Sequence, residues 1–298
     1  MITKSSKFRC WHNLTGEYDL AFEGNSLFVN ISMPYRFKLI SIVDDSQKEV
    51  YSKYYLSKEC KCKLALPSGK YYIFIYVSNN GFYYDSYIGG KQIKIERDKE
   101  NNWCFILPEY YEWNRNLIKN KLLNYVQANT LLDNKHTMRR VAARLIAGRE
   151  SLRDKVLAIH DFVAKNVYYD YDSLLSKVDI YRTIEQIAQT KRCVCQGYAD
   201  FALVLLHCAG IEAENILCYT VENIFEHGWS ETVNRTSELN HIITRVKLEN
   251  RWLYMDVTWD SNNRYENGQY IKGKSISHRY FDVTLPFLSA THRFFKKK

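Results

Sequence analysis

Alternating apolar and polar positions dominate the first hundred residues of the chain. Short runs rich in β-branched and aromatic residues are divided by turn-forming breaks such as Gly24-Asn25 and Pro67-Ser68-Gly69. Several short strands at this spacing are typical of an antiparallel, immunoglobulin-like β-sandwich. The runs that we predict to be strands are 26–31, 37–42, 60–66, 71–77 and 91–95. Because no residues here have catalytic spacing, we expect an accessory or binding domain.

Helical periodicity replaces this alternation after about residue 107. Apolar residues recur at intervals of three and four over 117–132, 138–146 and 152–165, which predicts amphipathic helices. Ser151 and Asp154 are placed as a capping box for the third helix. The change of pattern predicts three regions: a β-sandwich over 1–107, a helical linker over 108–150 and an α+β domain over 151–298.

Cys195 has the strongest chemical signal in the chain. The nearly continuous apolar stretch 201–208 predicts a buried helix that begins at this cysteine and ends before Gly210. The partial positive charge at a helix N-terminus favours the thiolate, which is the nucleophilic form of cysteine. We explain Gly197 by the backbone demands of the tight turn at the start of the helix.

Two β-rich runs downstream, 240–248 and 252–259, predict an antiparallel hairpin around a short polar break. If the loop has two residues, His241 and Asp256 are diagonal neighbours on one face of the hairpin. Every loop of even length keeps these side chains on one face, and every loop of odd length separates them. In the chain order Cys195, His241, Asp256, a thiol, an imidazole and a carboxylate can act as nucleophile, base and orienting group.

The residues around this constellation resemble the transglutaminase-like superfamily of papain-type cysteine enzymes. The resemblance rests on three runs in order, which are Cys-Gln-Gly-Tyr-Ala at 195–199, His241, and Asp-Val-Thr-Trp-Asp at 256–260. Upstream, 160–162 and 167–170 resemble the helix and the segment that precede the nucleophile. Downstream, 277–281 resembles the closing strand of bacterial members. The resemblance covers roughly 151–285, about the size of one ordinary domain.

The resemblance implies a papain-like α+β domain in which Cys195 is the nucleophile, His241 the general base and acid, and Asp256 the residue that orients the imidazole. It implies acyl transfer through a thioester on a peptide or protein substrate, with no metal or organic cofactor. The acceptor is water in a protease or amidase and an amine in a transglutaminase. The backbone N–H of Cys195 would supply one oxyanion contact, and Tyr168 and Tyr169 are candidates for the second.

Two features beside His241 differ from the family pattern. Family members commonly have a small residue, tryptophan and asparagine after the histidine, whereas this chain has Ile-Ile-Thr at 242–244. The preceding segment, 221–240, is polar, long and without period, and such loops are often functional. We expect it to cover the cleft, with Trp229 as an aromatic wall. A surface excursion remote from the site is the equally weighted alternative.

The other cysteines and histidines receive simpler interpretations. Free cysteine is often a small buried hydrophobe, which is our interpretation of Cys60, Cys62, Cys104, Cys208 and Cys218. We also expect Cys193 to be buried, with a redox relay to Cys195 as the alternative. A zinc site that adds His207 and Cys208 to this pair has poor spacing. We assign no catalytic role to His160, His207, His227, His278, His292 or Asp260, and interpret Asp260 as a surface salt bridge or turn cap.

Composition narrows the class of protein only slightly. The 298 residues are 46% hydrophobic and 25% charged, which is ordinary for a globular chain of two domains. The net charge of +9, from 42 basic and 33 acidic residues, is best explained by a mildly basic surface. We expect no nucleic-acid partner, because no binding signature accompanies the charge. The oligomeric state is left open.

Targeting signals are absent from the pattern. No N-terminal segment has the order of a signal peptide, and the apolar runs are shorter than the ~18 residues of a membrane span. The eight cysteines form no disulfide framework. We therefore expect no membrane span and a cytoplasmic, reduced protein. A catalytically silent binding or scaffold protein is the alternative to an enzyme, and a nucleic-acid-binding protein would rest on charge alone.

Overall fold

The computed structural model describes residues 4–12, 16–32, 35–56, 59–82, 84, 86–126, 135–178, 181–220 and 241–297. The described chain divides into two compact units. The first contains residues 4–116 and 284–292, and the second contains 117–220, 241–283 and 293–297. The mixed α+β fold class predicted from the sequence is confirmed at this level, whereas the three predicted domain boundaries stay a prediction.

The first unit is built from two antiparallel sheets. Its strands are β1 (Lys4–Ser5), β2 (Lys7–His12), β3 (Gly16–Glu23), β4 (Ser26–Ile31), β5 (Phe37–Asp44), β6 (Glu49–Tyr55), β7 (Glu59–Lys63), β8 (Tyr71–Ser78), β9 (Ser86–Arg97) and β10 (Trp103–Ile106). One sheet has the order β1-β10-β9-β8-β5-β6, and the other has the order β2-β3-β4-β7. Alternate residues of β4, β5 and β8 are buried, as the period of two requires for a strand with one face on a core.

Apolar side chains from both sheets meet inside this unit. The Phe22 ring of β3 lies 4.6 Å from the Phe105 ring of β10, and the Phe8 ring of β2 lies 5.8 Å from it. All five predicted strands are present, although β7 ends at Lys63 rather than at residue 66. The alternation did not reveal β1, β2, β3, β6 or β10.

The second unit interleaves helices and strands. Its elements, with those that border it, are α1 (Glu109–Lys119), β11 (Tyr125–Val126), α2 (Lys135–Ile146), α3 (Leu152–Asn166), β12 (Tyr168–Asp170), α4 (Tyr171–Ser176), α5 (Ile184–Thr190), β13 (Arg192–Cys193), α6 (Cys195–Cys208), β14 (Ala213–Thr220), β15 (His241–Lys247), β16 (Trp252–Met255), α7 (Val257–Asp260), β17 (Arg264–Glu266), β18 (Gln269–Ile271), β19 (Phe281–Val283), α8 (Leu285–Leu288) and β20 (His292–Phe294). Among the described residues, no helix is long and apolar enough to cross a membrane.

The core of the second unit lies between α6 and an antiparallel sheet. The sheet has the order β11-β14-β15-β16-β19, with β20 paired to β14. Buried residues of α2, α3 and α6 form one apolar cluster with Val246, Leu253 and Met255 of the sheet. A smaller sheet, β13-β12-β17-β18, contains parallel pairs on both sides of β12. Its strand β13 ends at Cys193, two residues before α6 begins at Cys195.

The predicted helices were correct at 138–146 and 152–165. The predicted helix at 117–132 was wrong over 120–126, and its remainder, 127–132, lies outside the described residues. Ser151 caps α3 by accepting the Asp154 N–H at 3.0 Å. The earlier helix, α1, instead begins at Glu109 and ends at Lys119. Lys121 adopts a left-handed φ of 55°, and the Leu122 N–H returns to the Leu117 carbonyl, which closes the helix. The chain then pairs as β11 with β14, so tertiary pairing overrides the helical period.

Candidate active site

Cys195 is the first residue of α6, as predicted. Its neighbour Val194 has extended backbone angles and is the N-cap, without a side-chain hydrogen bond. The Gly197 N–H donates to the Val194 carbonyl at 2.9 Å, which closes the first turn around the cysteine. The thiol is half-buried and lies at the positive end of the helix dipole. Gly210, with a φ of 74°, follows the end of the helix as expected.

Gly197 is required by space and not by backbone conformation. A Cβ built on it would lie 2.4 Å from the Cβ and 2.6 Å from the Sγ of Cys193. Gly197 is absent from the residues with positive φ, so the interpretation by backbone demands is corrected. The close approach of α6 to β13 therefore needs a residue without a side chain.

His241 and Asp256 are joined by a short hydrogen bond. His241 Nε2 lies 2.7 Å from Asp256 Oδ2, and both side chains are buried. The pairing of Thr244 with Met255 is the register that a two-residue loop predicts, and it places the two side chains together. Because Asp256 occupies Nε2, Nδ1 is the ring nitrogen left to face the thiol.

The second strand of the hairpin is shorter than predicted. It ends at Met255, and Asp256 is the N-cap of the helical turn α7 rather than a strand residue. Asp256 Oδ1 accepts the Trp259 N–H at 3.1 Å while Oδ2 bonds to His241. A capping aspartate followed by a turn explains why the β-rich run 252–259 does not continue as a strand.

Electrostatics at His241 favour the charged ring. Burial alone would lower the pKa of His241, but the Asp256 charge and hydrogen bonds to Asp256 and Cys195 outweigh it. Together they raise the pKa of His241 to about 10. The imidazole is therefore protonated at neutral pH and placed to stabilise a thiolate at Cys195.

Aromatic side chains line the other side of the imidazole. The Trp259 ring centroid lies 5.7 Å from that of His241, and the Tyr280 ring stands edge-on to Trp259 at 5.0 Å. Trp259 thus supplies an aromatic neighbour that the chain lacks directly after His241. The predicted closing strand at 277–281 is corrected, since β19 begins only at Phe281. The predicted cover at 221–240, with Trp229, lies outside the described residues.

A buried polar chain ties α6 to the strand that carries His241. Asn215 Nδ2 donates to Asp200 Oδ1 at 2.9 Å, and the Thr244 hydroxyl donates to Asn215 Oδ1 at 2.9 Å. Burial raises the pKa of Asp200, and the bonds from Gln196 and Asn215 oppose it. The threonine that departs from the family pattern three residues after His241 therefore has a structural partner.

The remaining thiols of the second unit have other environments. Cys193 is buried on β13 and Cys218 is buried opposite His241 in the β14–β15 pair. Burial raises the pKa of both thiols well above the ordinary value. Cys208 is half-buried, which corrects its interpretation as a buried hydrophobe.

The zinc arrangement fails on helix geometry. Cys195 and Cys208 are the two ends of α6, about 20 Å apart at the rise of an α-helix. His207 Nε2 lies 3.0 Å from the Ala213 carbonyl.

The candidate oxyanion donors, Tyr168 and Tyr169, lie on β12. The Tyr169 ring stacks on Tyr198 at 6.4 Å. The role of both tyrosines as oxyanion donors stays a prediction.

The sequence reasoning missed a charged cluster next to α7. Asp260 is fully buried and not on the surface, and its carboxylate lies 3.1 Å from His160 Nε2. His160 Nδ1 and His278 Nε2 both lie within hydrogen-bond distance of Asp161 Oδ1, at 3.1 and 2.7 Å. The signal available in the sequence was the presence of Asp260 and His160-Asp161 in the runs that carry the family resemblance.

Comparison with known proteins agrees with this arrangement. Residues 139–257 match the model of the transglutaminase-like superfamily, and this stretch contains the cysteine, the histidine and the aspartate described above. A curated relative, kyphoscoliosis peptidase of Mus musculus, is 24% identical over 158 residues, which are 51% of this chain and 23% of the relative. The chain thus spans less than a quarter of that relative.

Two solved structures show weaker likeness. A crystal structure of a transglutaminase is 19% identical, with a TM-score of 0.34, over 60% of this chain and 47% of the other. A DUF3244 family protein with an immunoglobulin-like β-sandwich from Bacteroides vulgatus is 16% identical, with a TM-score of 0.25, over 33% of this chain and 100% of the other. At these TM-scores neither likeness bears on function.

An α+β unit with a half-buried cysteine at a helix N-terminus, beside a paired histidine and aspartate, has the arrangement of thiol-dependent enzymes. Residues 139–257 of the chain are similar to the transglutaminase-like superfamily.

Proposed function

We propose that the chain is a cysteine-dependent acyl-transfer enzyme that acts on amide bonds of peptides or proteins. The observation that carries the proposal is the 2.7 Å bond between His241 and Asp256, made while His241 also bonds to Cys195. Three groups in that relation form a nucleophile, a base and an orienting group. The proposal extends to the domains of the chain. We propose a transglutaminase-like catalytic domain over 151–298 and a β-sandwich accessory domain over 1–107.

The reaction begins with a thiolate at Cys195 and an imidazolium at His241. The sulfur attacks the amide carbon, and the backbone N–H of Cys195 supports the negative oxygen of the tetrahedral intermediate. His241 then donates its proton to the leaving nitrogen as the C–N bond breaks, which leaves a thioester on Cys195 and a free amine or ammonia. Asp256 holds the ring in place and stabilises its charge throughout.

The acceptor decides the name of the reaction. Neutral His241 takes a proton from water or from an amine as it attacks the thioester, and the thiolate then leaves. Water gives a hydrolysed peptide or a deamidated side chain, and a lysine amine gives a crosslink. No step uses a metal or an organic cofactor.

A catalytically silent binding protein is the second candidate. The observation in its favour is the low exposure of His241, which is only 6% accessible and is followed by Ile242 and Ile243 rather than the usual small residue and tryptophan. Because the imidazole is buried, little of its surface is available to contact a substrate bound at the half-buried sulfur.

Mass spectrometry of a peptide library distinguishes these candidates. The protein is incubated with the library, with and without an added primary amine, and the intact protein is checked for an acyl group on Cys195. We expect cleaved, deamidated or amine-coupled peptides that Cys195→Ala does not produce. The proposal fails if the wild-type protein and Cys195→Ala give the same products, or if neither gives any and no acyl group is found.

A further inference from the structure

A buried histidine lies between two carboxylates, one of which is the last residue of α7. His160 of α3 has no exposed surface. Its Nε2 lies 3.1 Å from Asp260 Oδ2, and its Nδ1 lies 3.1 Å from Asp161 Oδ1. A neutral imidazole has one N–H, so both nitrogens can donate only when the ring is protonated. The geometry therefore favours the protonated ring, with a carboxylate beside each of its nitrogens.

The charges around His160 agree with this description. Burial opposes the charge, but the hydrogen bonds and charges of Asp161 and Asp260 raise the pKa of His160. Asp161 also bonds to His278 at 2.7 Å and to Lys165 at 3.3 Å. An unpaired buried charge is very costly, whereas this one is paired on both sides.

Asp260 also binds the main chain of Tyr280. The Tyr280 N–H donates to both carboxylate oxygens of Asp260, at 3.1 and 3.2 Å. The Asp256 N–H donates in turn to the Tyr280 carbonyl at 3.0 Å. Both ends of α7 are therefore attached to one residue of the neighbouring segment. A turn of four residues is not stable as an isolated helix, so these attachments keep it in place.

The N-terminal end of α7 is also bonded to His241. Asp256 Oδ2 holds the Nε2 of His241, and Asp256 Oδ1 holds the Trp259 N–H. The Trp259 ring lies between those of Tyr280 and His241, at 5.0 and 5.7 Å. Every step from His160 to His241 is thus a hydrogen bond or a ring contact within the second unit.

We propose that His160 and Asp260 are positioning residues, which hold α7 so that Asp256 and Trp259 stay on His241. The effect on turnover rests on the proposed acyl-transfer function, whereas the effect on His241 itself does not. A network that only stabilises the fold would leave the state of His241 unchanged in any variant that still folds.

Nuclear magnetic resonance of the histidine nitrogens tests the proposal. The full chain is labelled with 15N-histidine, and the signals of His241 are assigned with His241→Gln. Asp260→Asn keeps an oxygen for the Tyr280 N–H but removes the charge that faces His160. His160→Gln changes the other partner. The matched control is Asp282→Asn, because Asp282 is also buried and its ion-pair partners, Arg153 and Arg251, lie outside α7.

We expect the pKa of His241 to fall by about one unit in Asp260→Asn and in His160→Gln, since its carboxylate partner is less well placed. The Nε2 proton of His241 should exchange faster with water in both variants. The control should leave both readouts unchanged. If either variant folds and its His241 signals match those of the wild type, the proposal is overturned.

Kinetics separate the two proposals. If the protein turns over, kcat should fall, by up to about a hundredfold for a shift near 1 Å, while KM changes little. If Cys195-dependent turnover is absent but the His241 signals respond, the proposed function fails and the positioning role stands. If turnover is present but kcat and the His241 signals are unchanged in either folded variant, the positioning role fails alone.

Discussion

The two units of the chain bury different kinds of side chain. In the described part of the first unit, the buried residues of the strands are almost all apolar, with Lys38 as a charged exception. The described part of the second unit buries five carboxylates, which are those of Asp170, Asp200, Asp256, Asp260 and Asp282. Each has a hydrogen-bond or ion-pair partner. The sheets of the first unit are stabilised by apolar burial, whereas the second unit fixes particular polar groups in place.

This difference indicates where chemistry resides. Burying a carboxylate is costly even when it is paired, and an apolar replacement is often as stable. A unit that buries five of them keeps a specific geometry at that cost. Asp256 and Asp260 lie at the two ends of α7, and Asp256 is bonded to His241. The cysteines of the two units also have different environments. In the first unit, burial raises the pKa of Cys60 to about 11. In the second unit, Cys195 is half-buried beside the charged imidazole of His241.

Replacing single cysteines should give the largest contrast. We expect Cys195→Ala to remove acyl-transfer activity, since loss of a triad nucleophile costs about 10⁶ in kcat. Cys193→Ala should keep most of it, and Cys60→Ala in the first unit should keep all of it at a cost of about 1 kcal/mol in unfolding free energy. Single-turnover kinetics and denaturant unfolding measure both effects. Equal losses in Cys193→Ala and Cys195→Ala would point to a redox pair instead.

Replacing Asp256 should give the next largest effect. Asp256→Asn should lower kcat by about 10⁴, as expected when the orienting carboxylate becomes an amide. His241 must be protonated to give its proton to the leaving nitrogen, so wild-type activity should fall as the pH rises through about 10. In Asp256→Asn the remaining activity should fall at a lower pH, because the charge that raises the pKa of His241 is gone.

The pH dependence of kcat/KM checks this expectation. Asp282→Asn serves as the control, because it removes a buried carboxylate of the same unit whose ion-pair partners are Arg153 and Arg251. An alkaline limb that stays in place in Asp256→Asn would mean that another group controls it.

Replacing one glycine in each unit should give the smallest contrast, which is in the free energy of unfolding. Gly197→Ala places a Cβ 2.4 Å from that of Cys193 and should cost about 1–3 kcal/mol, as overpacking does. Gly24→Ala in the first unit meets nothing within 4 Å and is strained only by a φ of 57°, which costs about 1–2 kcal/mol. Denaturant unfolding compares them. If Gly197→Ala is neutral, α6 can move away from β13 and the close packing is not needed.

Local patterns predicted the positions of the three candidate residues well. Apolar runs predicted the start of α6 at Cys195, and the even-loop argument predicted the register that brings His241 to Asp256. Both depend on residues close in sequence or on a period of two. The predicted helix that starts at residue 117 was wrong over 120–126, because Lys121 takes a left-handed conformation and β11 pairs with β14.

The buried charges could not be predicted in the same way. His160 and Asp260 are 100 residues apart in the chain and meet only after α3, α7 and the segment with Tyr280 have packed together. No period relates them, and a lone histidine or aspartate is usually a solvated or core residue. Long-range pairs of this kind need the fold before they can be recognised.

Alkylation of the cysteines by iodoacetamide tests the central claim that Cys195 is an activated nucleophile. The native protein is treated at neutral pH, and mass spectrometry follows each cysteine with time. We predict that Cys195 is alkylated first, while the buried Cys60, Cys193 and Cys218 react only after unfolding, and that His241→Gln slows Cys195 to the rate of an ordinary thiol. Alkylation of Cys195 at an ordinary rate in the native protein, unchanged in His241→Gln, would contradict the account.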